Sequence, residues 1–290
     1  MPNGDKLYLV NLQLMQKVIF RDLGKMDYQQ AWDYQETLLQ ENVKVKSELR
    51  RLADAALEGE LGRAKGVSGG VSGERNAGIS FSGSNDGPSA RRPVGVSAET
   101  VNYFLFVEHP PVYTLGKSGH IENVLINEEE MQEKGMQFFR TNRGGDITFH
   151  GPGQIVGYPI LDLEKFTTDI GKYLRNLEEV IIQLLALYGI KGERSTGETG
   201  VWIEPGVKGR ERKICAIGIR CSRWITMHGF ALNVNTDLSY FGNIVPCGIQ
   251  DKQVSSLERE LGHPVDIAEA KQLLKQQFER VFGVEMASDL

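Results

Sequence analysis

At 290 residues the chain is long enough for one large or two modest domains with a proper core. With 24% charged and 40% apolar residues it has the composition of an ordinary globular protein, and it contains neither an 18-residue apolar run nor a basic-then-apolar leader, so neither a membrane partner nor export is expected. The net charge of -5 argues against a general nucleic-acid binder.

The N-terminal stretch 7–14 alternates in its second half and predicts a strand. Asp27 and Gln30 resemble a capping box, opening a helix whose apolar positions Tyr28, Ala31, Trp32, Leu38, Leu39, Val45, Leu49, Leu52 and Ala56 recur at helical spacing and fade near Leu57. Residues 59–97 are then rich in glycine and serine with isolated apolar residues, a composition that cannot offset the entropy of ordering. The expected organisation is therefore a strand and helix over 1–58, a disordered insertion over 59–97, and the remainder of the same domain over 98–290. Residues 101–107 form an apolar strand, Pro110 and Pro111 enforce an extended turn, and Asn127 with Glu130 caps a short helix ending at Gly135.

The stretch from Arg143 to Gln154 holds four glycines, a proline, a guanidinium and an imidazole between a strand ending near Thr141 and another over 155–161. Glycine lets a ligand approach the main chain and proline rigidifies the turn, so the expectation is a strand–loop–strand whose loop wraps a ligand. Thr168 or Asp169 opens an amphipathic helix that Gly189 stops. Strands follow over 200–204, 212–221 and 226–235, and two helices, opened by Ser255 or Ser256 and by Asp266, finish the chain. Strands outnumber helices without alternating strictly, which predicts an α+β fold with a mixed sheet flanked by helices.

Three cysteines carry no zinc spacing and cannot all pair, so free thiols in a reducing cytoplasm and no metal site are expected. Cys247, between Pro246 and Gly248, sits on a tight turn and reads either as a nucleophile or as a structural thiol. Cys215 and Cys221 lie six apart in one strand, on one face, and read as packing. Lys213 shares the face of Cys215 by the same alternation and reads either as an exposed edge lysine or as an activating charge, since one ammonium about 4 Å from a thiol is enough to lower its pKa by one to two units. His150 and His228 each stand in Thr-x-His-Gly, as buried structural groups or as site residues.

Arg-Gly-Gly-x-x-Thr-x-His-Gly-Pro-Gly-Gln at 143–154, Lys-Ile-x-Ala-Ile-Gly at 213–218, His-Gly-Phe-Ala-Leu-Asn-Val at 228–234 and Pro-Cys-Gly at 246–248 together resemble the octanoyl (lipoyl) transferases of lipoate synthesis, within the biotin/lipoate ligase superfamily. The resemblance implies a two-step transfer with no cofactor beyond the phosphopantetheine that carries the donor. Cys247 would take an octanoyl group from acyl carrier protein and pass it to a lysine of a lipoyl domain of a 2-oxo-acid dehydrogenase, or of glycine-cleavage H protein, while Lys213 holds the thiolate. It also implies an acyl channel lined by Arg143, Gly144, Gly145, Asp146, Ile147, Thr148, Phe149 and His150, by Ala216, Ile217 and Gly218, and by Gly229, Phe230 and Ala231. An ATP-dependent lipoate–protein ligase is the alternative. Three features depart from the family pattern: Cys215 as a second candidate nucleophile, the insertion over 59–97, and a long loop over 204–212. Its Lys208, Arg210 and Arg212 read either as a patch for an acidic carrier or as a solvated turn.

Overall fold

The computed structural model describes residues 15–66, 99–245 and 253–288. The strand expected over 7–14, the bulk of the Gly/Ser-rich stretch and the Pro246-Cys247-Gly248 turn therefore lie outside the described residues. The chain divides into two compact units, 1–40 with 101–290 and, separately, 41–100.

The first unit holds two sheets. The larger, eight-stranded among the described residues, runs β10 (Gln253–Val254), β8 (Arg212–Ser222), β9 (Ile225–Asn233), β6 (Gln154–Ile160), β2 (Asn102–Glu108), β1 (Gln16–Lys25) and β11 (Val284–Ser288), with β7 (Val201–Ile203) also paired to β8. Its centre is antiparallel, whereas β1 lies parallel to both β2 and β11, and β10 parallel to β8. The smaller sheet is β4 (Gln137–Arg140), β3 (Val112–Leu115) and β5 (Ile147–His150). The mixed α+β architecture is the one the element order predicts. β1, β3, β10 and β11 escape the sequence pattern; β1 and β11 pair with each other in register from Gln16 with Val284. The stretch 143–154 also differs from expectation: it is not one loop, because Ile147–His150 forms β5 within it.

One face of the large sheet packs against α3 (Ile170–Leu187) and α5 (Ile267–Phe282). Tyr173, Leu177, Ile181, Leu184 and Leu185 of α3 are fully buried at helical spacing, and Ala270, Leu274 and Phe278 of α5 recur every fourth residue. Phe278 stacks on Phe104 of β2 with centroids 4.1 Å apart. The caps follow the sequence: Asp169 accepts from Lys172 N, Asp266 from Ala268 N, and Ser256 caps α4 (Leu257–Leu261). Asn127 and Glu130 form the expected capping box on α2 (Glu128–Glu133). Helix α1 (Tyr28–Gly66) opens at Asp27, whose carboxylate accepts from Gln29 N. It runs on to Gly66 rather than fading near Leu57, so the sequence boundary at Gly59 falls inside a helix. In the second unit this helix carries Leu49, Leu52 and Leu57 exposed. Among the described residues no helix is long and apolar enough to cross a membrane.

The feature of this fold that matters most for the site is an irregularity between β7 and β8. Val201 pairs with Cys215 but Trp202 pairs with Lys213, so β8 spends one extra residue, Ile214, against a single step of β7. A bulge of this kind resets strand alternation. Ile214 and Cys215 consequently both enter the helix-side core, and Lys213 faces the other way. Gly200, at φ +116°, makes the bend possible; a Cβ there would stand 2.6 Å from the Cys215 carbonyl oxygen. Its N–H donates to Glu178 Oε1 at 3.1 Å, and Glu178, fully buried on α3, is held in turn by Arg175 and Arg194. Gly200→Ala should therefore lower stability by roughly 2 kcal/mol or more, read as the shift in the urea midpoint, because strain at positive φ and a backbone clash combine. An unshifted midpoint would mean that β7 and β8 meet without the bulge.

Candidate active site

A cavity of about 730 Å³ opens between the two sheets on the face opposite α3 and α5. Its floor consists of small residues in register: Ala216 opposite Ala231 and Gly218 opposite Gly229, with Val156 of β6 beside them. Lys213 borders the same cavity where the bulge delivers it, with Nζ 4.5 Å from the centre of the Trp202 ring. The small-sheet side supplies the other wall. Gly144 N donates to Ile219 O at 2.8 Å, and a Cβ on Gly218 would come 2.8 Å from Gly144 O, so the two backbones are in direct contact where the 143–146 segment crosses β8.

A polar chain threads this wall in one direction. Arg143, buried, donates from Nη2 to the Thr114 carbonyl and to Thr114 Oγ1 at 2.9 Å. Thr114 Oγ1 is 3.4 Å from His150 Nε2, and His150 Nδ1 is 2.9 Å from Gln154 Oε1. Gln154 Nε2 donates to the Phe149 carbonyl and to Asn233 Oδ1, and Asn233 Nδ2 donates to the Ser255 carbonyl at 2.9 Å. Because Gln154 donates through its nitrogen, its oxygen must accept, which fixes His150 with its proton on Nδ1 and Nε2 as acceptor. The chain ends next to Lys213, since Ser255 N donates to the Lys213 carbonyl at 2.9 Å.

Two buried histidines, His150 and His228, border the inner part of the cavity, and a third, His109, lies buried behind them with its ring 5.8 Å from His150. His109 bridges Met26 O and the Tyr158 hydroxyl, His228 bonds Asn142 Oδ1 at 2.8 Å, and Tyr28 stacks over His150 at 5.9 Å. Burial lowers His109 to about 4 against its bond to Met26 O, and burial followed by the Arg143 and Arg220 charges lowers His228 to about 3. His150 is held well below the ordinary imidazole value by burial and then by His109. The inner site is thus lined by neutral imidazoles. Tyr28 is pushed up to about 12 by burial, opposed by Arg143, and stays protonated. His228 also carries backbone strain, φ +58° inside β9, its N–H turned to Gln35 Oε1 at 2.9 Å.

The expected site residues largely converge here. Lys213, Arg143, Gly145, Asp146, Ile147, Thr148, His150, Ala216, Ile217, Gly218, Gly229, Phe230 and Ala231 all border the cavity. Phe149 does not: alternation in β5 sends it to the far side of the small sheet, where it stacks on Tyr240 at 4.6 Å. Gly144 contributes its backbone contact to β8 instead of a lining surface. Cys215 is removed from candidacy as a nucleophile, because the bulge buries it completely in the helix-side core and burial pushes its thiol well above the ordinary value. It therefore does not share a face with Lys213, although Cys221 packs on its side as expected. The basic loop is also otherwise engaged. Arg210, 65% exposed at its side chain, pairs with Glu204, and the more enclosed Arg212 pairs with Glu204 and Glu260, so both arginines sit in a surface ion-pair cluster.

The lipoyl protein ligase A/B catalytic domain matches residues 95–279. The octanoyltransferase of Christiangramia forsetii is 49% identical over 271 residues, covering 93% of this chain and 97% of that one, and that of Flavobacterium johnsoniae is 48% identical over 271 residues, covering 93% and 98%. The chain belongs to the octanoyltransferase family. It is an acyltransferase enzyme. The fold has counterparts in a bipartite lipoate protein ligase from Thermoplasma acidophilum (TM-score 0.53, 18% identity, 65% of this chain and 74% of that chain) and in a lipoate–protein ligase A bound with ATP (TM-score 0.54, 15% identity, 65% and 76%). At that identity the likeness shows the biotin/lipoate ligase fold alone.

In this member of the octanoyltransferase family, the cavity residues Tyr158 and Trp202, and Thr114 behind the wall, carried no signal strong enough to be singled out from sequence. Gln154 and Tyr158 alternate with apolar residues along the fully buried β6, and that polar stripe in a buried strand was the readable trace. Among the described residues no group of three His, Cys, Asp or Glu could hold a metal ion.

The buried neutral histidines make stability depend on pH. Each has a folded pKa below its unfolded value of about 6.5, so the unfolded state binds more protons as pH falls. Their contribution is complete above about pH 6.5 and is lost as pH falls through about 4 for His109 and about 3 for His228. Urea midpoints should be flat above pH 7 and fall below 6, with about 1.4 kcal/mol per pH unit attributable to each histidine. His109→Gln should flatten that slope by one such increment, and an unaltered slope would place a charged His109 in the folded protein.

Proposed function

We propose that this enzyme transfers an octanoyl group from the phosphopantetheine thioester of acyl carrier protein to Cys247, and from Cys247 to the ε-amine of a lysine on a lipoyl domain. The observation that carries the reading is Lys213 at the edge of a cavity floored by Ala216, Gly218, Gly229 and Ala231, in a chain about 50% identical to octanoyltransferases. Small residues leave room for an alkyl chain along the backbone. At about 0.8 kcal/mol per buried methylene, an eight-carbon chain gains roughly 5 kcal/mol from such a floor.

In the first step the Cys247 thiolate attacks the octanoyl carbonyl, the carbon–sulfur bond to pantetheine breaks, and the pantetheine thiolate leaves and takes a proton. In the second, the neutral acceptor amine attacks the Cys247 thioester, an amide forms, Cys247 leaves as thiolate and the amine gives up a proton. Lys213 is the group that supports the thiolate and shifts these protons. Both thioesters are of similar energy, so the transfer needs no nucleotide. Glycine-cleavage H protein is a second acceptor of the same chemistry.

Intact mass after mixing with octanoyl-acyl carrier protein, followed by peptide mapping, should show one octanoyl group on Cys247. Cys247→Ala should abolish both adduct and turnover, Lys213→Ala should slow transfer by a factor of about 10–100 with the fold intact, and Cys215→Ala should keep most activity. An adduct on Cys215, or vigorous modification of a lipoyl domain from free octanoate and ATP without the carrier, would overturn the reading, the latter in favour of a ligase.

A further inference from the structure

The proposed reaction requires the Lys213 charge at one place, beside the attacking sulfur, yet lysine is a point charge on a flexible four-carbon stem. We propose that Trp202 is the positioning residue that fixes the Lys213 ammonium at the edge of the cavity. This rests on the reading of Lys213 and Cys247 as a working pair.

The geometry is specific. Trp202 stands directly opposite Lys213 in the β7–β8 pairing, on the near side of the bulge, and Nζ lies 4.5 Å from its ring centre, within the roughly 6 Å reach of a cation–π contact. The ring is only 2% exposed, so it offers a fixed face. The lysine stem is confined on another side by Gly200, where a Cβ would come 3.6 Å from Lys213 Cε. An aromatic face also differs from a carboxylate in what it leaves behind: it holds the ammonium without neutralising it, so the charge still acts on a thiolate. Glu204 pairs with Arg210 and Arg212, and Glu260 pairs with Arg212. The other charged groups bordering the cavity are Glu198 ahead of β7 and Glu122, Arg143 and Asp146 on the small-sheet side, with His120 beside them. All of these are unchanged in a variant of Trp202 and cancel in the comparison with the parent enzyme.

The test is the pH dependence of Cys247 alkylation by iodoacetamide, read by peptide mass spectrometry so that Cys215 and Cys221 do not contribute. Trp202→Leu should raise the midpoint by about one pH unit, roughly a tenfold loss of thiolate near neutrality. Octanoyl transfer should fall in step and recover as the pH is raised. Trp202→Phe, which keeps an aromatic face, should restore most of the shift. A folded Trp202→Leu enzyme with the parent midpoint overturns the proposal, since a merely structural role would lower the melting temperature and leave the midpoint in place. Should Trp202→Leu not fold, the three tryptophans can be replaced globally by analogues with increasing numbers of ring fluorines, which weaken the negative face at nearly constant shape. The midpoint should then climb with fluorine number in the parent enzyme and not in Trp202→Phe, and a flat series overturns the proposal. Lys213→Ala separates the two levels. If it leaves the midpoint unmoved, the Lys213–Cys247 pairing itself fails; if it moves the midpoint and Trp202→Leu does not, only the role of Trp202 fails.

Discussion

One extra residue in β8 decides which side chains meet the cavity. Strand alternation alone would place Lys213 and Cys215 together and Ile214 against them. The bulge sends Ile214 and Cys215 into the core beneath α3 and leaves Lys213 on the opposite face. It is held from both sides of the sheet. From the helix layer, Glu178 fixes the Gly200 N–H and is itself bound by Arg175 and Arg194. From the cavity side, Trp202 lies against the lysine that the bulge has turned outward. Burying Glu178 without partners would cost several kcal/mol, so its three donors are a condition of this arrangement. The core packing of one face and the chemistry available on the other are therefore set by the same backbone step.

The second constraint is how two sheets enclose an apolar-floored space while their polar backbone groups and side chains stay satisfied. The 143–146 segment has few side chains to offer, and it closes on β8 through main-chain contact at Gly144 and Ile219. Arg143 then begins a hydrogen-bond chain in which every member donates onward, through Thr114, His150, Gln154 and Asn233 to the Ser255 carbonyl. A chain with one polarity has one consistent set of rotamers and tautomers, whereas a mixed one leaves a buried donor facing a donor. The chain ties the small sheet to β6, β9 and the segment entering α4, and its last member bonds the backbone of Lys213. The positions of the cavity wall and of the lysine are in this way set by one network.

Much of this was legible in the residues. Asp169, Asp266, Ser256 and the Asn127–Glu130 pair cap helices where they should, because capping is a local rule that short polar side chains obey whatever the tertiary context. The stretches 143–150, 216–218 and 229–231 converge on one cavity because each combines small residues with strand flanks. What was hidden depends on partners distant in sequence. β1 is a strand because it pairs with β2 and β11, and β11 because it pairs with β1 across more than 250 residues, and no local pattern announces either pairing. The bulge follows from the register of β7 against β8, so alternation within β8 gave the wrong face for Cys215 relative to Lys213. Phe149 was grouped with the lining by its place in a motif, but between Thr148 and His150, which face the cavity, alternation turns it to the far side of the small sheet.

The same fold supports ATP-bound lipoate–protein ligases, so architecture alone does not distinguish adenylate chemistry from thioester exchange. The distinction has to come from the groups presented to the carbonyl carbon. A ligase must stabilise an anionic phosphate leaving group, whereas thioester exchange needs a thiolate and one cation that does not quench it. Around Lys213 the structure offers an aromatic face, with two neighbouring arginines already closed onto carboxylates. Lys213 thus stands at the end of a floor of alanines and glycines, with Arg143, bonded to Thr114 and Gly144, and the neutral imidazoles of His150 and His228 also bordering the cavity. An ammonium beside a narrow apolar floor suits a sulfur nucleophile acting on an alkyl thioester, which is the chemistry proposed for Cys247.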